Sequence, residues 1–303
     1  GWHIIREVSD TYLAIKAIEE LDVDYVFTEL ELTRGDGIEL LEFLRDREDV
    51  RVIVVSRLLR YSSPMLFEEL GKFRPDMIIP MTNQSYEVNP LTRVLKMQKP
   101  YLSTIKNRNM SKILELKSKE FSQANSSVIV IGGSTGALTP LYHFLEGMEL
   151  NDRLSIVIAL HTLKTRKNVE KVKQIFGSCV REVQGLERFE LGRVYVLRSG
   201  RNYRLIIKNG ELYFKAFRPH LALRYRPSIN LVMENFSAIF QEKCIGVILS
   251  GYGSDGVLGS ELIAMRGGRI IIQDPENAKA PSMPSLTIEA LRRRNKTLEL
   301  IKL

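Results

Sequence analysis

The chain has 303 residues, of which 44% are hydrophobic and 26% charged, and its formal net charge is +8. These proportions predict a globular protein of about two domains and exclude a fibrous or disordered chain. No apolar stretch approaches the roughly 20 residues of a membrane span, so membrane insertion is not expected. The positive charge favours an acidic partner. Nucleic acid is not expected, because the basic residues are spread out and no aromatic-basic motif accompanies them.

Cysteine usage and the start of the chain bear on its cellular setting. Cys179 and Cys244 lie in or beside apolar segments. Two buried thiols in a chain of this length predict a reducing compartment, the cytoplasm. No spacing of cysteine and histidine suggests a metal site. The first residues, Gly1-Trp2-His3, lack both an initiator methionine and the features of a signal peptide, which predicts a fragment or a processed chain.

Strand and helix patterns alternate through residues 1–98, which predicts a first parallel-sheet domain. Its strands are predicted at 4–8, 25–30, 52–56 and 77–79, with helices at 11–21, to about 47 and to about 97. Residues 99–125 break this rhythm, and the Lys-, Glu- and Leu-rich segment 110–121 is interpreted as an exposed linker helix. A solvated spacer without a binding role is the favoured interpretation of that helix.

Residues 126–303 predict a second, larger α/β domain with a doubly wound sheet. Strands are predicted at 128–131, 154–160, 194–196, 204–207, 245–250 and 269–273, with an edge strand at 297–303. Helices are predicted at 138–146, 167–176, 229–240, 258–266 and 285–294. Asn209-Gly210 predicts a tight turn in a β-hairpin over residues 203–213.

Three loops of this second domain follow predicted strands and carry Ser134, His161 and Asp255. The glycine-rich turn Gly132-Gly133-Ser134-Thr135-Gly136 presents its serine near the free N–H groups of the next helix, which suits a nucleophilic hydroxyl or a bound phosphate. A hydroxyl needs an adjacent base, and an imidazole needs a carboxylate to orient it. Together the three side chains therefore favour acyl transfer.

Each residue also has a simpler interpretation. Ser134 and Asp255 could be helix N-caps, and His161 could be an ordinary loop histidine. His143 is interpreted as structural or surface-exposed, and His220 is the fallback base.

A dinucleotide site is the rival interpretation, because residues 251–256 read Gly-x-Gly-x-x-Gly and Asp274 follows about 20 residues later. Asp255 within that loop would repel a pyrophosphate. The rival also leaves Ser134 unexplained.

The second domain resembles the chemotaxis receptor methylesterases, the CheB family of protein-glutamate methylesterases. The segments 131–136, 226–230 and 251–256, the histidine at 161 and the landmarks Gln273 and Met283-Pro284 match the family in order. The resemblance implies Ser134 as nucleophile, His161 as base and Asp255 as its orienter. The oxyanion-binding and site-lining residues that it implies are Gly133, Thr135, Tyr252, Gly253 and Met283.

The resemblance implies hydrolysis of γ-glutamyl methyl esters on the cytoplasmic segments of methylated chemoreceptors, with glutamine deamidation as a second reaction. It implies no cofactor, and it adds chemotaxis kinase or adaptor proteins as further candidate partners. The surroundings of the histidine depart from the family pattern: Leu160-His161-Thr162-Leu163 replaces Gln-His-Met-Pro, and Leu197-Arg198-Ser199-Gly200 replaces Ala-Pro-Gly-Gly. The alternative is therefore a catalytically weak or inactive adaptor with the same fold.

The first domain resembles a phosphorylation receiver, a flavodoxin-like parallel-sheet fold. Glu29 stands at the phosphoacceptor position, Ser56 at the hydroxyl position and Pro80 at the position of the signalling lysine. The receiver's first strand and its Mg²⁺-binding acidic pair are not in this sequence. The resemblance therefore implies a degenerate receiver that is not phosphorylated.

Overall fold

The computed structural model describes residues 3–32, 37–47, 49–60, 62, 64–80, 126–162, 165–217 and 225–303. The described residues fall into two compact units, with residues 3–80 in the first and residues 126–303 in the second. The predicted helix running to about 97, the linker 99–125 and His220 lie outside the described residues, as does most of the loop before Gly37. No described helix has the length and apolar character that a membrane crossing demands.

The first unit is a small parallel sheet flanked by helices. Its elements are α1 (Thr11–Glu20), β1 (Tyr25–Thr28), α2 (Gly37–Leu44), β2 (Arg51–Ser56), α3 (Pro64–Gly71) and β3 (Met77–Pro80). Asp10 caps α1, because its side chain accepts the N–H of Leu13 at 2.8 Å. The strands pair in the order β1-β2-β3, all parallel, which confirms the predicted alternation.

The predicted strand at residues 4–8 is wrong. These residues have no regular structure, and no described strand pairs with them. Ile4 and Ile5 are exposed. An apolar pattern forms a strand only where a neighbouring strand accepts its hydrogen bonds and a layer covers its apolar face, and the described residues provide neither here.

A seven-stranded parallel sheet organises the second unit, in the order β13-β12-β11-β4-β5-β8-β6. Its strands are β4 (Ser127–Gly133), β5 (Leu154–Leu160), β6 (Val180–Val183), β8 (Val194–Leu197), β11 (Cys244–Ile248), β12 (Arg269–Gln273) and β13 (Glu299–Ile301). The chain starts in the middle at β4, builds outward through β5 and β8, and returns to the other side of β4 at β11. This is the predicted doubly wound α/β topology.

Helices cover both faces of this sheet. They are α4 (Leu138–Glu146), α5 (Thr165–Phe176), α6 (Ile229–Phe240), α7 (Val257–Met265) and α8 (Ser282–Arg293). Side chains alternate along β4, so Val128 and Val130 enter one core with Phe236 of α6, while Ile129 and Ile131 enter the opposite core with residues of α4. Because both faces are buried, the strands are continuous apolar runs.

The predicted hairpin is confirmed as β9 (Asn202–Lys208) and β10 (Glu211–Phe217). Asn209 and Gly210 both have positive φ, 52° and 76°, as a two-residue hairpin turn of the mirror type requires. A third strand, β7 (Leu186–Arg188), pairs with β10 and completes a separate antiparallel sheet. β6 (Val180–Val183) and β7 were not predicted, because both strands contain charged residues and so give no continuous apolar run.

Two ion pairs with little solvent access tie the helices of the second unit together. Arg266 after α7 lies 3.6 Å from Glu234 of α6, and Arg294 after α8 pairs with Glu261 of α7 at 2.5 Å. All four side chains are at most 5% exposed. Removal of one partner from either pair would leave a buried charge, which is strongly destabilising.

Candidate active site

The three candidate loops emerge side by side, because β5, β4 and β11 are neighbours in the sheet. In the parallel registers, Gly133 at the end of β4 is opposite Leu160 of β5, and Gly132 is opposite Ile248 of β11. Ser134 and His161 therefore follow paired strand ends directly, while the loop to Asp255 leaves the strand on the other side of β4. The central carboxyl edge of the sheet is where doubly wound folds place their sites.

The turn at Ser134 requires glycine on either side. A Cβ at Gly133 would lie 2.6 Å from the Cβ of Ala137, and one at Gly136, where φ is +81°, would lie 2.6 Å from the Cβ of Lys279. Neither distance is compatible with a larger residue unless the backbone shifts. Glycine lets the chain pass from a buried strand into α4 within a few residues.

Ser134 is held by its backbone while its hydroxyl is left unused. Its N–H donates to the carbonyl of Ser250 at 2.9 Å, and its carbonyl accepts the N–H of Ala137 at 3.1 Å. The hydroxyl makes no hydrogen bond within the described part of the chain. The N-cap of α4 is Ala137, without a side-chain cap, so the capping interpretation of Ser134 is wrong. The half-buried side chain remains available for chemistry.

Ser250, two residues beyond β11, supports the same turn. Its hydroxyl donates to the carbonyl of the exposed Thr135 at 2.7 Å and accepts the N–H of Ala280 at 2.9 Å. Its own N–H donates to Gln273 Oε1 at 2.8 Å. Ser250 was not singled out from the sequence, because its partners come from three separate segments.

The carboxylate of Asp255 lies at the N-terminus of α6. Its Oδ2 accepts the N–H of Ile229 at 2.8 Å, and its Oδ1 accepts the N–H of Asn230 at 2.9 Å. Ser228 caps the same helix through the N–H of Leu231. Asp255 is only 1% exposed, and the positive end of the helix dipole stabilises a negative charge there.

The alternative that Asp255 is the N-cap of its own following helix is wrong. That position belongs to Gly256, which has φ of +106° and no side-chain cap. The N-terminal region of α7 is instead held from α6, because Asn230 Oδ1 accepts the N–H groups of Gly256 at 2.8 Å and Gly259 at 2.9 Å.

His161 contacts the same carboxylate. Its Nε2 lies 2.8 Å from Asp255 Oδ2, and its side chain is 14% exposed. The other ring nitrogen, Nδ1, makes no hydrogen bond among the described residues. The buried carboxylate therefore occupies Nε2 at the edge of the ring. The second nitrogen, Nδ1, is left to exchange a proton with another group.

The ring of Tyr225 covers the imidazole, a contact that was not predicted from the sequence. Its ring is stacked on that of His161, with centroids 4.8 Å apart and planes inclined by 2°. Tyr225 immediately precedes the segment 226–230 that carries Ser228 and the start of α6. An aromatic residue adjoining that segment was the only available signal.

The loop of residues 251–256 passes beside the serine. Tyr252 exposes 62% of its surface, and its backbone N–H makes no hydrogen bond within the described part of the chain. The N–H of Gly253 donates to Ser282 Oγ at 3.1 Å. Met283 is completely buried behind the loop, where its N–H donates to the carbonyl of Gly251 at 2.9 Å.

The residues that suggested a dinucleotide site have other uses. Asp274 caps a short turn by accepting the N–H of Glu276 at 3.0 Å. Asp255 is committed to α6 and His161 in the loop that a pyrophosphate would need. Of the remaining histidines, His143 is exposed on α4. The described residues contain no cluster of three or more His, Cys, Asp or Glu side chains suited to a metal ion.

In the first unit, the carboxyl group of Glu29, just beyond β1, is bound by two backbone N–H groups. Its Oε1 accepts the N–H of Leu30 at 2.9 Å and its Oε2 that of Arg57 at 3.4 Å. Burial raises the pKa of the Glu29 carboxyl, while hydrogen bonds from the Ser56 hydroxyl and the two backbone N–H groups oppose that rise.

Comparison with known proteins identifies the family of the second unit. The family model described as CheB methylesterase matches residues 129–302. The crystal structure of the Thermotoga maritima CheB methylesterase catalytic domain superposes with a TM-score of 0.52 at 25% identity, covering 58% of this chain and 92% of that domain.

Two curated relatives differ in how much of the chain they match. A protein named protein-glutamate methylesterase/protein-glutamine glutaminase 1 from Carboxydothermus hydrogenoformans is 26% identical over 94% of this chain and 85% of its own length. A protein from Leptospira interrogans named "Putative protein-glutamate methylesterase/protein-glutamine glutaminase" is 32% identical over 55% of this chain and 86% of its own length. A family match that spans most of the second unit, together with the paired His161 and Asp255 beside the Ser134 turn, shows that this chain belongs to the CheB methylesterase family.

Proposed function

We propose that this protein is a protein-glutamate methylesterase that hydrolyses γ-glutamyl methyl esters on chemoreceptors through Ser134, His161 and Asp255. The observation that carries the proposal is the hydrogen bond between His161 and Asp255, whose loops follow the two strands that flank β4. Between them, after β4, lies a serine whose hydroxyl has no hydrogen-bond partner among the described residues. Family membership supplies the substrate class, because the relatives are named for glutamate methyl esters and for glutamine.

In the proposed reaction, Ser134 Oγ attacks the ester carbonyl while His161 Nδ1 takes its proton. Asp255 holds Nε2, so it sets the tautomer and stabilises the imidazolium that forms. Attack requires Oγ and Nδ1 to approach to about 2.6–3.2 Å, a contact that often forms only when substrate is bound. His161 then returns the proton to the departing methanol, which leaves an ester between Ser134 and the glutamyl group.

Water completes the cycle. His161 removes a proton from a water molecule, the resulting hydroxide attacks the serine ester, and the proton passes back to Ser134 as glutamate leaves. The same sequence on a glutamine side chain would release ammonia, which gives the deamidase reaction. Neither reaction needs a metal or a cofactor, since the nucleophile and base are side chains.

The backbone N–H of Tyr252 is the proposed oxyanion donor. It makes no hydrogen bond to any described residue, and its loop adjoins the serine: a Cβ at Gly251 would lie 2.9 Å from the Cβ of Ser134. One aligned donor at a developing oxyanion contributes about 2.7–4 kcal/mol to transition-state stabilisation. Gly133, Thr135 and Gly253 complete the proposed lining, and Met283 supports it from behind.

The proposed clients are the cytoplasmic segments of methylated chemoreceptors, encountered in the cytoplasm. The net charge of +8 suits glutamate-rich clients, because opposite charge speeds encounter. Chemotaxis kinase or adaptor proteins are further proposed partners.

We also propose the layout in which residues 1–98 form a degenerate receiver, 99–125 a linker helix and 126–303 the catalytic domain. Glu29 at the phosphoacceptor position is already bound by backbone N–H groups, and Pro80 cannot supply the cation of a signalling lysine. We expect no phosphorylation when the protein is incubated with acetyl phosphate and Mg²⁺. A phosphoryl group detected on Glu29 by mass spectrometry would contradict this part of the proposal.

Methanol release from methylated receptor membranes tests the enzymatic function. We expect release by the intact protein and its loss in Ser134→Ala, by roughly 10⁴-fold or more. Ser178→Ala is the matched control, because Ser178 is an exposed serine away from the three loops.

An intact, folded protein that binds receptor membranes but releases no methanol would instead support the non-catalytic adaptor. Equal loss in the Ser178→Ala control would mean that the assay reports general damage rather than the nucleophile.

A further inference from the structure

We propose that Tyr225 is a positioning residue for ester hydrolysis, whose ring clamps the plane of the His161 imidazole while its far end packs against Gly253, in the loop that carries the proposed oxyanion donor. The inference rests on the proposed function and adds a residue to it. Tyr225 touches neither the ester nor the reacting atoms in this account, and it acts through His161 and through the loop.

The stack with Tyr225 fixes the orientation of the His161 imidazole. The hydrogen bond from Nε2 to Asp255 holds one corner of the ring, but rotation of the ring about that corner would still swing Nδ1 out of line with Ser134. Tyr225 lies flat on the ring, with a 2° angle between the planes and 4.8 Å between the centroids. Aromatic pairs in offset stacks gain about 0.5–1.5 kcal/mol beyond their buried area, which resists this rotation.

The hydroxyl of Tyr225 lies against Gly253. A Cβ on Gly253 would lie 2.6 Å from Tyr225 Oη and 3.6 Å from Cζ, so the hydroxyl rests where a side chain would stand. Gly253 also has φ of +90°, which disfavours any other residue. The tyrosine therefore spans from the proposed base to the residue next to Tyr252, whose N–H is the proposed oxyanion donor.

The segment that follows Tyr225 is held in place by hydrogen bonds. Three residues later, Ser228 caps α6, and its N–H donates to the buried Asn202 Oδ1 at 2.6 Å. The next two N–H groups bind Asp255. One short segment, residues 225–230, thus holds both the carboxylate that orients His161 and the ring that covers it.

A tyrosine that merely fills space would affect stability, whereas a positioning residue affects the rate at saturating substrate. We expect Tyr225→Ala to lower kcat by roughly 10- to 100-fold with KM changed by less than about threefold, because small misplacements of reacting groups have effects of this size. Tyr225→Phe keeps the stack and should retain kcat within about threefold.

Tyr213→Ala is the matched control. Tyr213 is also half-buried, but it lies on β10 in the antiparallel sheet. We expect it to lower the melting temperature without changing kcat at a temperature where the variant is folded.

A second measurement follows the stack without any activity. In the NMR spectrum, the ring current of a stacked tyrosine should shift the Cε1 proton of His161 upfield. We expect that shift to be lost in Tyr225→Ala and kept in Tyr225→Phe.

The outcomes separate the two proposals. Methanol release with an unchanged kcat in Tyr225→Ala, or equal losses in the Phe and Ala variants, would overturn the clamp and leave the proposed function standing. A wild-type protein that shows the upfield shift but releases no methanol would overturn the proposed function, and the role of Tyr225 in hydrolysis with it.

Discussion

Each of the two units of this protein carries an acidic residue beyond the carboxyl end of a parallel strand, and the surroundings of the two residues differ. In the second unit, Asp255 accepts two N–H groups at the start of a twelve-residue helix and binds an imidazole. In the first unit, Glu29 accepts one N–H at 2.9 Å and another at 3.4 Å, and burial raises the pKa of its carboxyl.

The difference shows which neighbouring groups an acid beyond a strand end needs in order to serve in a functional site. Both acids have limited access to solvent, but only Asp255 lies at the N-terminus of a long helix and against an imidazole. The charge of Arg57 acts on Glu29 as well, but its effect on the pKa of that carboxyl is smaller than the effect of burial. Around Glu29, Ser56 donates a hydroxyl hydrogen bond and Pro80 ends the next strand but one along the sheet, so no cation from that strand meets the acid. The fold offers the position, and the neighbouring side chains decide its chemistry.

The largest effect is expected from removing the charge of Asp255. In Asp255→Asn, the side chain has one oxygen for two backbone N–H groups and the imidazole, so the tautomer of His161 is no longer enforced. We expect kcat/KM for methyl ester hydrolysis to fall by roughly 10³–10⁴-fold. Initial rates of methanol release measure the change.

Asp274→Asn provides the control for this substitution. Asparagine caps a turn about as well as aspartate, so activity should stay within about twofold of the wild type. If Asp274→Asn were as damaging as Asp255→Asn, the carboxylate of Asp255 would have no special role.

A smaller effect, on stability, is expected from the buried ion pair between α6 and the residue that follows α7. Glu234→Gln removes the carboxylate that lies 3.6 Å from the guanidinium of Arg266, which is 5% exposed. We expect the free energy of unfolding to fall by about 3 kcal/mol, with kcat unchanged where the variant is folded. Urea denaturation measures it.

Glu299→Gln is the matched control, since Glu299 pairs with Arg269 at 3.0 Å on the surface. An exposed pair of this kind contributes about 0–1 kcal/mol. Equal losses in the two variants would contradict the view that burial makes the Glu234 pair important.

The smallest effect is expected from Glu29→Gln. Because burial raises the pKa of this carboxyl, the folded state holds the proton more tightly than the unfolded state. Its stabilising contribution is complete below the usual pKa of 4.5 and is lost as pH rises through the raised value. We expect the Gln variant to be slightly more stable than the wild type at neutral pH.

Thermal unfolding of the two proteins at acidic and neutral pH measures this difference. A wild-type protein whose first unit gains stability from pH 4.5 to neutrality, relative to Glu29→Gln, would contradict it.

Much of the second unit was predictable, because its signals are local. Buried parallel strands are continuous apolar runs, Asn209-Gly210 specifies a hairpin turn, and the glycines around Ser134 specify a sharp strand-to-helix turn. The placement of Ser134, His161 and Asp255 after strands followed from the apolar runs, whereas the position of β11 beside β4 depends on the order of strands in the sheet.

The rest depended on contacts between distant segments. Residues 4–8 have a strand-like pattern, but no described strand pairs with them, while β7 is only three residues long and exists because β10 binds it. Asp255 could be linked to the next helix by sequence, yet it binds α6. Tyr225 acquired its role by lying on a ring 64 positions earlier, which no local pattern encodes.

The most direct test of the central claim is whether Ser134 and His161 act as one unit. Release of tritiated methanol should be measured for Ser134→Ala, His161→Ala and the double variant. If the serine and the histidine act only together, removing either one abolishes the same contribution to the rate. The account therefore predicts that the double variant releases methanol no more slowly than the slower single variant. Losses that multiply, or a Ser134→Ala variant with wild-type rates, would contradict it.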